Sequence, residues 1–288
     1  MIPSKFDYEA PATLADALSL LVQNSDAKIL AGGQSLIPLM RFRMTGPSML
    51  IDINGIEDLS YIKEEGGWLK IGSMTRESDI DHSDLIRDKY PLLYDTAKVI
   101  ADPIVRNMAT VGGNIAHADP ANDHPATMLA YRANVVAAGP GGERTIPISE
   151  FFTGPFEMAL AADEILTEIQ IPAANGNSGG AYYKVERKVG DYATAAVAVQ
   201  VTLDGGNIAE VGIGLTNVGL VPIQATAAED ALRGNAPNAD LLQQAGALAA
   251  EAADPVDDRR GTENYKRALV RTLTVRALNT AIERAGGG

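Results

Sequence analysis

Two double-glycine segments, far apart in the chain, constrain this sequence more than any other feature. One reads Ala31-Gly32-Gly33-Gln34-Ser35 and the other Thr110-Val111-Gly112-Gly113-Asn114. Each borders or interrupts an apolar stretch, and each ends in small hydrogen-bonding side chains. Glycine lets the backbone take positive φ and approach another group closely. Successive N–H groups in such a turn form an anion nest, to which Ser35 and Thr110 can add hydroxyls and Asn114 an amide. Brought together by folding, two such loops can wrap the two phosphates of one dinucleotide. Either pair taken alone reads as readily as an ordinary turn. Neither fits G-x-G-x-x-G or G-x-x-x-x-G-K-[ST], which speaks against the Rossmann and P-loop readings.

The chain has 288 residues, enough for a sizeable core and two or three structural units. Its net charge is −13 and it carries no basic block, so a nucleic-acid surface is not expected. No apolar run is long enough for a membrane span, and the N-terminal segment has no signal-peptide core. The absence of cysteine says most about chemistry. Such a chain holds no disulfide, no thiolate nucleophile and no thiolate-bound iron–sulfur cluster. Any redox group must be an organic cofactor or belong to a partner.

Periodicity supplies the organisation. Phe6 to Glu9 reads as a strand, and Thr13 as the N-cap of a helix carrying Leu14, Ala17, Leu18 and Leu21. Lys28 to Ala31 is a buried strand, Leu36 to Met44 a short helix tolerating Pro38, and Met49 to Ile53 the next strand, a βαβ-type unit. Strands follow at 68–71, 135–138 and 165–171, with helices over 90–100 and 126–131. The stretch Pro172 to Gly180 reads as a linker. Beyond it come three antiparallel strands over 181–187, 193–203 and 209–216, with a hairpin at Asp204-Gly205-Gly206-Asn207. Helices are expected over 225–233, 239–252 and 262–285, then a frayed Gly286-Gly287-Gly288 tail.

After the second glycine pair comes His117-Ala118-Asp119-Pro120-Ala121-Asn122-Asp123-His124-Pro125. Two His and two Asp so close raise the question of a metal, but the prolines break helical spacing and the pattern matches no common site. A loop whose carboxylate accepts hydrogen bonds from cofactor hydroxyls is the better functional reading. The alternative is a turn and N-cap opening the next helix.

These motifs together resemble the FAD-binding subunit of the molybdenum hydroxylases. The resemblance rests on Ala-Gly-Gly-x-Ser-Leu-Ile-Pro-Leu-Met from Ala31, on Ala101-Asp102-Pro103-x-Val105-Arg106-Asn107, on the second glycine segment, and on Asp119-Pro120-x-x-Asp123. Late motifs, Arg187 to Ala196 and Gly214 to Val218, look most like the carbon monoxide dehydrogenase branch of that family. The resemblance implies an α+β architecture: a vanillyl-alcohol-oxidase-type (PCMH-type) FAD-binding fold of two α/β subdomains, 1–55 and 56–175, then a C-terminal domain, 176–288, with a three-stranded antiparallel sheet and helices.

It also implies roles. Ile29, Leu30, Ala31, Gly32, Gly33, Gln34, Ser35 and Leu36, with Thr110, Val111, Gly112, Gly113 and Asn114, would hold the FAD pyrophosphate. Asp123 would bind the cofactor's polar chain, Ile100 and Leu166 would make apolar contacts, and Lys184 would lie near the cofactor. Asp191 and Tyr192 would approach the flavin. No catalytic side chain and no metal ligand is implied. Read without the resemblance, Ile100 and Leu166 are core residues, Tyr192 a strand aromatic and Lys184 a solvated charge. The implied partners are an iron–sulfur small subunit and a molybdopterin large subunit, in a dimer of heterotrimers. Electrons would leave to an external acceptor, the complex lying in the cytoplasm and meeting a membrane only through that acceptor. A self-contained FAD oxidoreductase acting on a small organic substrate, or a scaffold without FAD, are the rival readings.

Overall fold

A computed structural model describes residues 2–286. The expected fraying of Gly287 and Gly288 lies outside the described residues. The first glycine pair leaves a small parallel sheet in which Met49–Asp52 lies between Asp7–Glu9 and Ala27–Leu30. Parallel strands need crossovers, and the helix Leu14–Gln23 connects the two outer strands. Thr13 starts that helix by accepting the Asp16 N–H at 3.1 Å. Its Ala17 and Leu21 pack on Ile51, Ile53 and Ile56. The next helix, Leu36–Arg41, stops short of the expected Met44 because Arg43 takes a left-handed φ of 59°.

A second, wholly antiparallel sheet has the order Ile62–Glu65, Trp68–Gly72, Ile165–Pro172, Asn134–Gly139, Gly142–Pro147. The three inner strands are the apolar ones expected. The two edge strands are mostly exposed and polar, so neither shows an alternating pattern.

The C-terminal sheet runs Ser178–Val185, Ala195–Asp204, Asn207–Thr216 and Ile223–Gln224, all antiparallel. It therefore has four strands rather than three. The fourth is two residues long, too short to carry a periodic signal. The expected linker shrinks accordingly, since Gly179 and Gly180 are already in a strand. Helices Thr226–Leu232, Ala239–Ala252 and Glu263–Ala285 accompany this sheet and share its apolar core.

One helix joins the halves. Asp123–Tyr131 is buried along its whole length and starts three residues earlier than expected, with Pro125 in its first turn. Strand Asn207–Thr216 lies against it so closely that a Cβ on Gly212 or Gly214 would sit 2.0 Å from a helix carbonyl, that of Ala130 or Ala126. Glycine is needed there for close approach. The contact carries the first turn of the helix, with Asp123 and His124, up to the C-terminal sheet. Among the described residues, no helix is long and apolar enough to cross a membrane.

Candidate cofactor site

Folding brings the two glycine segments into contact. A Cβ on Gly32 would lie 2.4 Å from the Met108 carbonyl oxygen and 2.6 Å from Ala109 Cα, and one on Gly113 would lie 3.5 Å from Ala31 Cβ. Asn54 and Arg76 fasten the junction. The Asn54 amide donates to the Ala31 carbonyl at 2.8 Å, and Arg76 donates to Asn54 Oδ1 at 2.7 Å and to the Met108 carbonyl. Arg76 escaped the sequence reading because a lone arginine outside a motif carries no signal.

The two segments differ in what they leave open. In the second, four of the five N–H groups are consumed within the protein, and that of Thr110 makes no hydrogen bond among the described residues. Val111 donates to Thr75, Gly112 to Ser73 and Asn114 to Thr110 carbonyls, at 3.0, 3.0 and 2.9 Å. Gly113 donates to Thr110 Oγ1 at 3.1 Å, so this hydroxyl is the N-cap of a helix, Val111–His117, that contains the glycines. The expected anion nest therefore does not form from the N–H groups of Val111 to Asn114, whereas the Thr110 hydroxyl, which only accepts here, keeps its own hydrogen to donate. Gly112 is glycine for packing, since its Cβ would meet Ser73 Cβ at 2.4 Å and Ser73 O at 2.6 Å.

The first segment is the opposite case. Among the described residues the N–H groups of Gly32, Gly33, Gln34 and Ser35 make no hydrogen bond. Gly33 has φ 70°, the left-handed region that glycine takes without strain. The Ser35 hydroxyl caps no N–H, and the Gln34 amide folds back on the Gly32 carbonyl at 3.1 Å. Ile29, Leu30 and Leu36 are turned into the adjacent cores and anchor the segment. Open donors on one loop, backed by a closed wall on the other, fit a phosphate-bearing cofactor. Asn114 Oδ1, buried without a partner, adds an unused polar atom on that wall.

Beyond the wall, Asp123 and Lys184 meet. Lys184 Nζ donates to Asp123 Oδ2 at 2.9 Å and to the Val99 carbonyl at 3.0 Å, and lies 3.3 Å from Glu186. The Tyr182 hydroxyl donates to Asp123 Oδ1 at 2.7 Å. Burial pushes the Asp123 carboxyl above its ordinary range, against the pull of Lys184 and Tyr182. Lys184 is thus a buried ion-pair partner, not a solvated charge, and Val99 ties it to Ile100, which is itself 6% exposed. Leu166, also buried, belongs to the same apolar cluster as Val111 and Ile115.

The two His and two Asp of the 117–124 stretch go separate ways. His124 Nε2 pairs with Glu77 Oε2 at 2.7 Å in a fully buried contact, and His117 stacks on Phe156 at 5.2 Å. Asp119 accepts the Ala121 N–H, and Asp123 has the partners described above. Glu77 and Tyr182 were not singled out from sequence, since their partners lie 47 and 59 residues away.

Asp191 and Tyr192 occupy the segment joining the first two strands of the C-terminal sheet. Asp191 accepts from Arg260 at 3.0 Å and from Arg187 at 3.3 Å. Burial would raise its carboxyl, but Arg260 and the Tyr192 N–H outweigh it and hold the group below the ordinary range. Tyr192 is 43% exposed, and burial together with the charges of Asp119 and Asp123 raises its phenol.

Comparison with known proteins gives the family. The FAD binding domain in molybdopterin dehydrogenase matches residues 4–174, and the CO dehydrogenase flavoprotein C-terminal domain matches 180–281. The carbon monoxide dehydrogenase medium chain of Hydrogenophaga pseudoflava is 43% identical, over 98% of each chain. The glyceraldehyde dehydrogenase medium chain of Sulfolobus acidocaldarius is 35% identical over 96% of this chain and 98% of that one. The solved carbon monoxide dehydrogenase of Hydrogenophaga pseudoflava superposes with a TM-score of 0.96 at 46% identity, covering 99% of both chains. This chain belongs to the family of FAD-binding flavoproteins of the molybdopterin dehydrogenases, and FAD is its cofactor.

Proposed function

We propose that the chain is the FAD-carrying electron-transfer subunit of a molybdenum hydroxylase complex. In this reading a molybdopterin large subunit oxidises substrate, and a small subunit with [2Fe–2S] clusters relays the electrons to this chain. An external acceptor removes them. The complex is a dimer of heterotrimers in the cytoplasm, reaching a membrane only through its acceptor. The observation that carries the reading is the first glycine segment, four open N–H groups around a left-handed Gly33, seated against a second segment that leaves the Thr110 N–H open beside it.

Bound FAD supplies the ability to take up electrons singly and release them in pairs. The protein's part is holding and tuning. Residues 29–36 and Thr110 to Asn114 together hold the pyrophosphate. Asp123, kept in place by Lys184 and Tyr182, borders the polar chain of the cofactor. Ile100 and Leu166 line its apolar side, and Asp191 and Tyr192 border the flavin. The work divides among the segments 1–55, 56–175 and 176–288. No side chain acts as nucleophile or general base. A chain without cysteine supports the assignment of thiolate-bound clusters to a partner. Relatives named for carbon monoxide and for glyceraldehyde dehydrogenases support a substrate site on another chain.

Purification of the native complex, with metal analysis and flavin extraction, tests the reading. Iron, molybdenum and FAD together with two unequal partner chains is the expected result. A chain that purifies alone with FAD and is rapidly reduced by a small organic substrate would instead be a self-contained oxidoreductase.

A further inference from the structure

We propose that Arg260 is a positioning residue for the cofactor face, holding Asp191 and, through it, the ring of Tyr192. The proposal rests on the reading that Tyr192 borders the flavin. The segment from Glu186 to Thr194 has no regular structure, and Val189 at its tip is 94% exposed. Its two flanks are tied down. Gly190, at φ 81°, lies against the Ala101 carbonyl. The Asn217 amide donates to the Ala193 carbonyl, and Thr194 donates to the Val185 carbonyl at 2.7 Å.

At Tyr192 the fastening depends on Asp191. Its Oδ1 accepts both the Tyr192 N–H at 2.8 Å and Arg260 Nη2 at 3.0 Å. The Arg260 guanidinium lies 6.0 Å from the centre of the Tyr192 ring, at the outer limit of a cation–π contact. Arg187 also reaches Asp191, but its side chain is 59% exposed and its contacts are long, so it holds weakly. Arg260 is the more buried partner, with its side chain 26% exposed.

Arg260 is itself held. It comes from an irregular stretch before the last helix, and the only buried lysine of that helix fixes it. Lys266 Nζ, 2% exposed, donates to the Val256 carbonyl at 2.9 Å and to Asp258 Oδ2 at 2.7 Å. Asp258 Oδ1 in turn accepts the N–H of Arg260 at 2.7 Å and of Gly261 at 3.1 Å. The series runs Lys266, Asp258, Arg260, Asp191, Tyr192. Arg260 Nε is buried with no partner among the described residues, so the guanidinium is held through Nη2.

The test uses the assembled complex carrying FAD, with R260Q, R260K, D191N and Y192L. Tryptic cleavage after Arg187 or Lys188 reads the order of the segment, and flavin emission reads the cofactor face. R260Q and D191N should each speed cleavage several-fold and change flavin emission, and the double variant should do no more than either alone. R260K should restore part of both, because lysine keeps the charge but not the planar fork. Unchanged cleavage in R260Q, or additive effects in the double variant, overturns the proposal. Faster cleavage with wild-type flavin emission, where Y192L alters that emission, also overturns it. Unaltered emission in Y192L refutes instead the underlying reading of Tyr192, with cleavage still judging the tie to Arg260.

Discussion

Gly112→Ala separates the two reasons a glycine can stand in a cofactor loop. If Gly112 were glycine to admit a phosphate, the FAD-free protein would not feel the change. The structure says otherwise, because the new Cβ would point at Ser73, 2.4 Å from its Cβ and 2.7 Å from its Cα. Ordinary carbon contacts lie near 3.5–4.0 Å, so an overlap of more than ~1 Å must be relieved. The neighbour is not a flexible side-chain end. Ser73 is backbone tied at its N–H to the Thr167 carbonyl, at 2.9 Å, and at its carbonyl to Gly112. Overpacking of this kind costs up to about 3 kcal/mol. Alanine returns roughly 0.5–1 kcal/mol of helix propensity in the first turn of Val111–His117. The net loss is about 2 kcal/mol, which for a domain-sized unit lowers Tm by roughly 4–8 °C. Thermal unfolding of the FAD-stripped protein measures this directly. Wild-type Tm in the stripped variant, with FAD retention lost, would refute the packing argument and restore the phosphate one.

Lys184→Met leaves Asp123 buried without its cation and should cost about 3–5 kcal/mol in urea unfolding. Adding Asp123→Asn should recover much of that, and a double variant as unstable as the sum of the singles would contradict the pairing. Glu77→Ala strands His124 Nε2 in a dry core and should cost about 1–3 kcal/mol more than Glu77→Gln, which keeps an acceptor there. Asp191 and Asp258 are both held below the ordinary carboxylate range: burial opposes ionisation, but Arg260 in one case and Lys266 in the other outweigh it. A depressed carboxyl stabilises above its unfolded pKa and loses that contribution as pH falls through the folded one. The tie on Tyr192 should therefore be intact at neutral pH and loosen below about pH 4. Flavin emission that stays constant down to pH 2 would contradict it.

Much of the scaffold could be read from the sequence because its signals are local. Thr13 precedes its helix as a cap should, and the inner strands at 135–138 and 165–171 are apolar runs between turn signals. The edge strands Ile62–Glu65 and Gly142–Pro147 were invisible because an exposed edge needs no apolar face. The contacts that build the site are non-local. Lys184 reads as a solvated charge until the helix Asp123–Tyr131 brings a carboxylate across 61 residues of chain, and Arg260 meets Asp191 across 69. The glycine pairs show most clearly where local reading ends. Both carry the residues of an anion-binding turn, and each is compatible with one. Whether a backbone N–H is free depends on what lies opposite it after folding. Strand Trp68–Gly72 and the residues after it supply Ser73 and Thr75 carbonyls to the second pair, while no acceptor in the described chain meets the N–H groups of the first. Identical local chemistry thus yields a wall in one place and an open cradle in the other. The cradle has four N–H groups left to offer a cofactor, and the second segment adds that of Thr110.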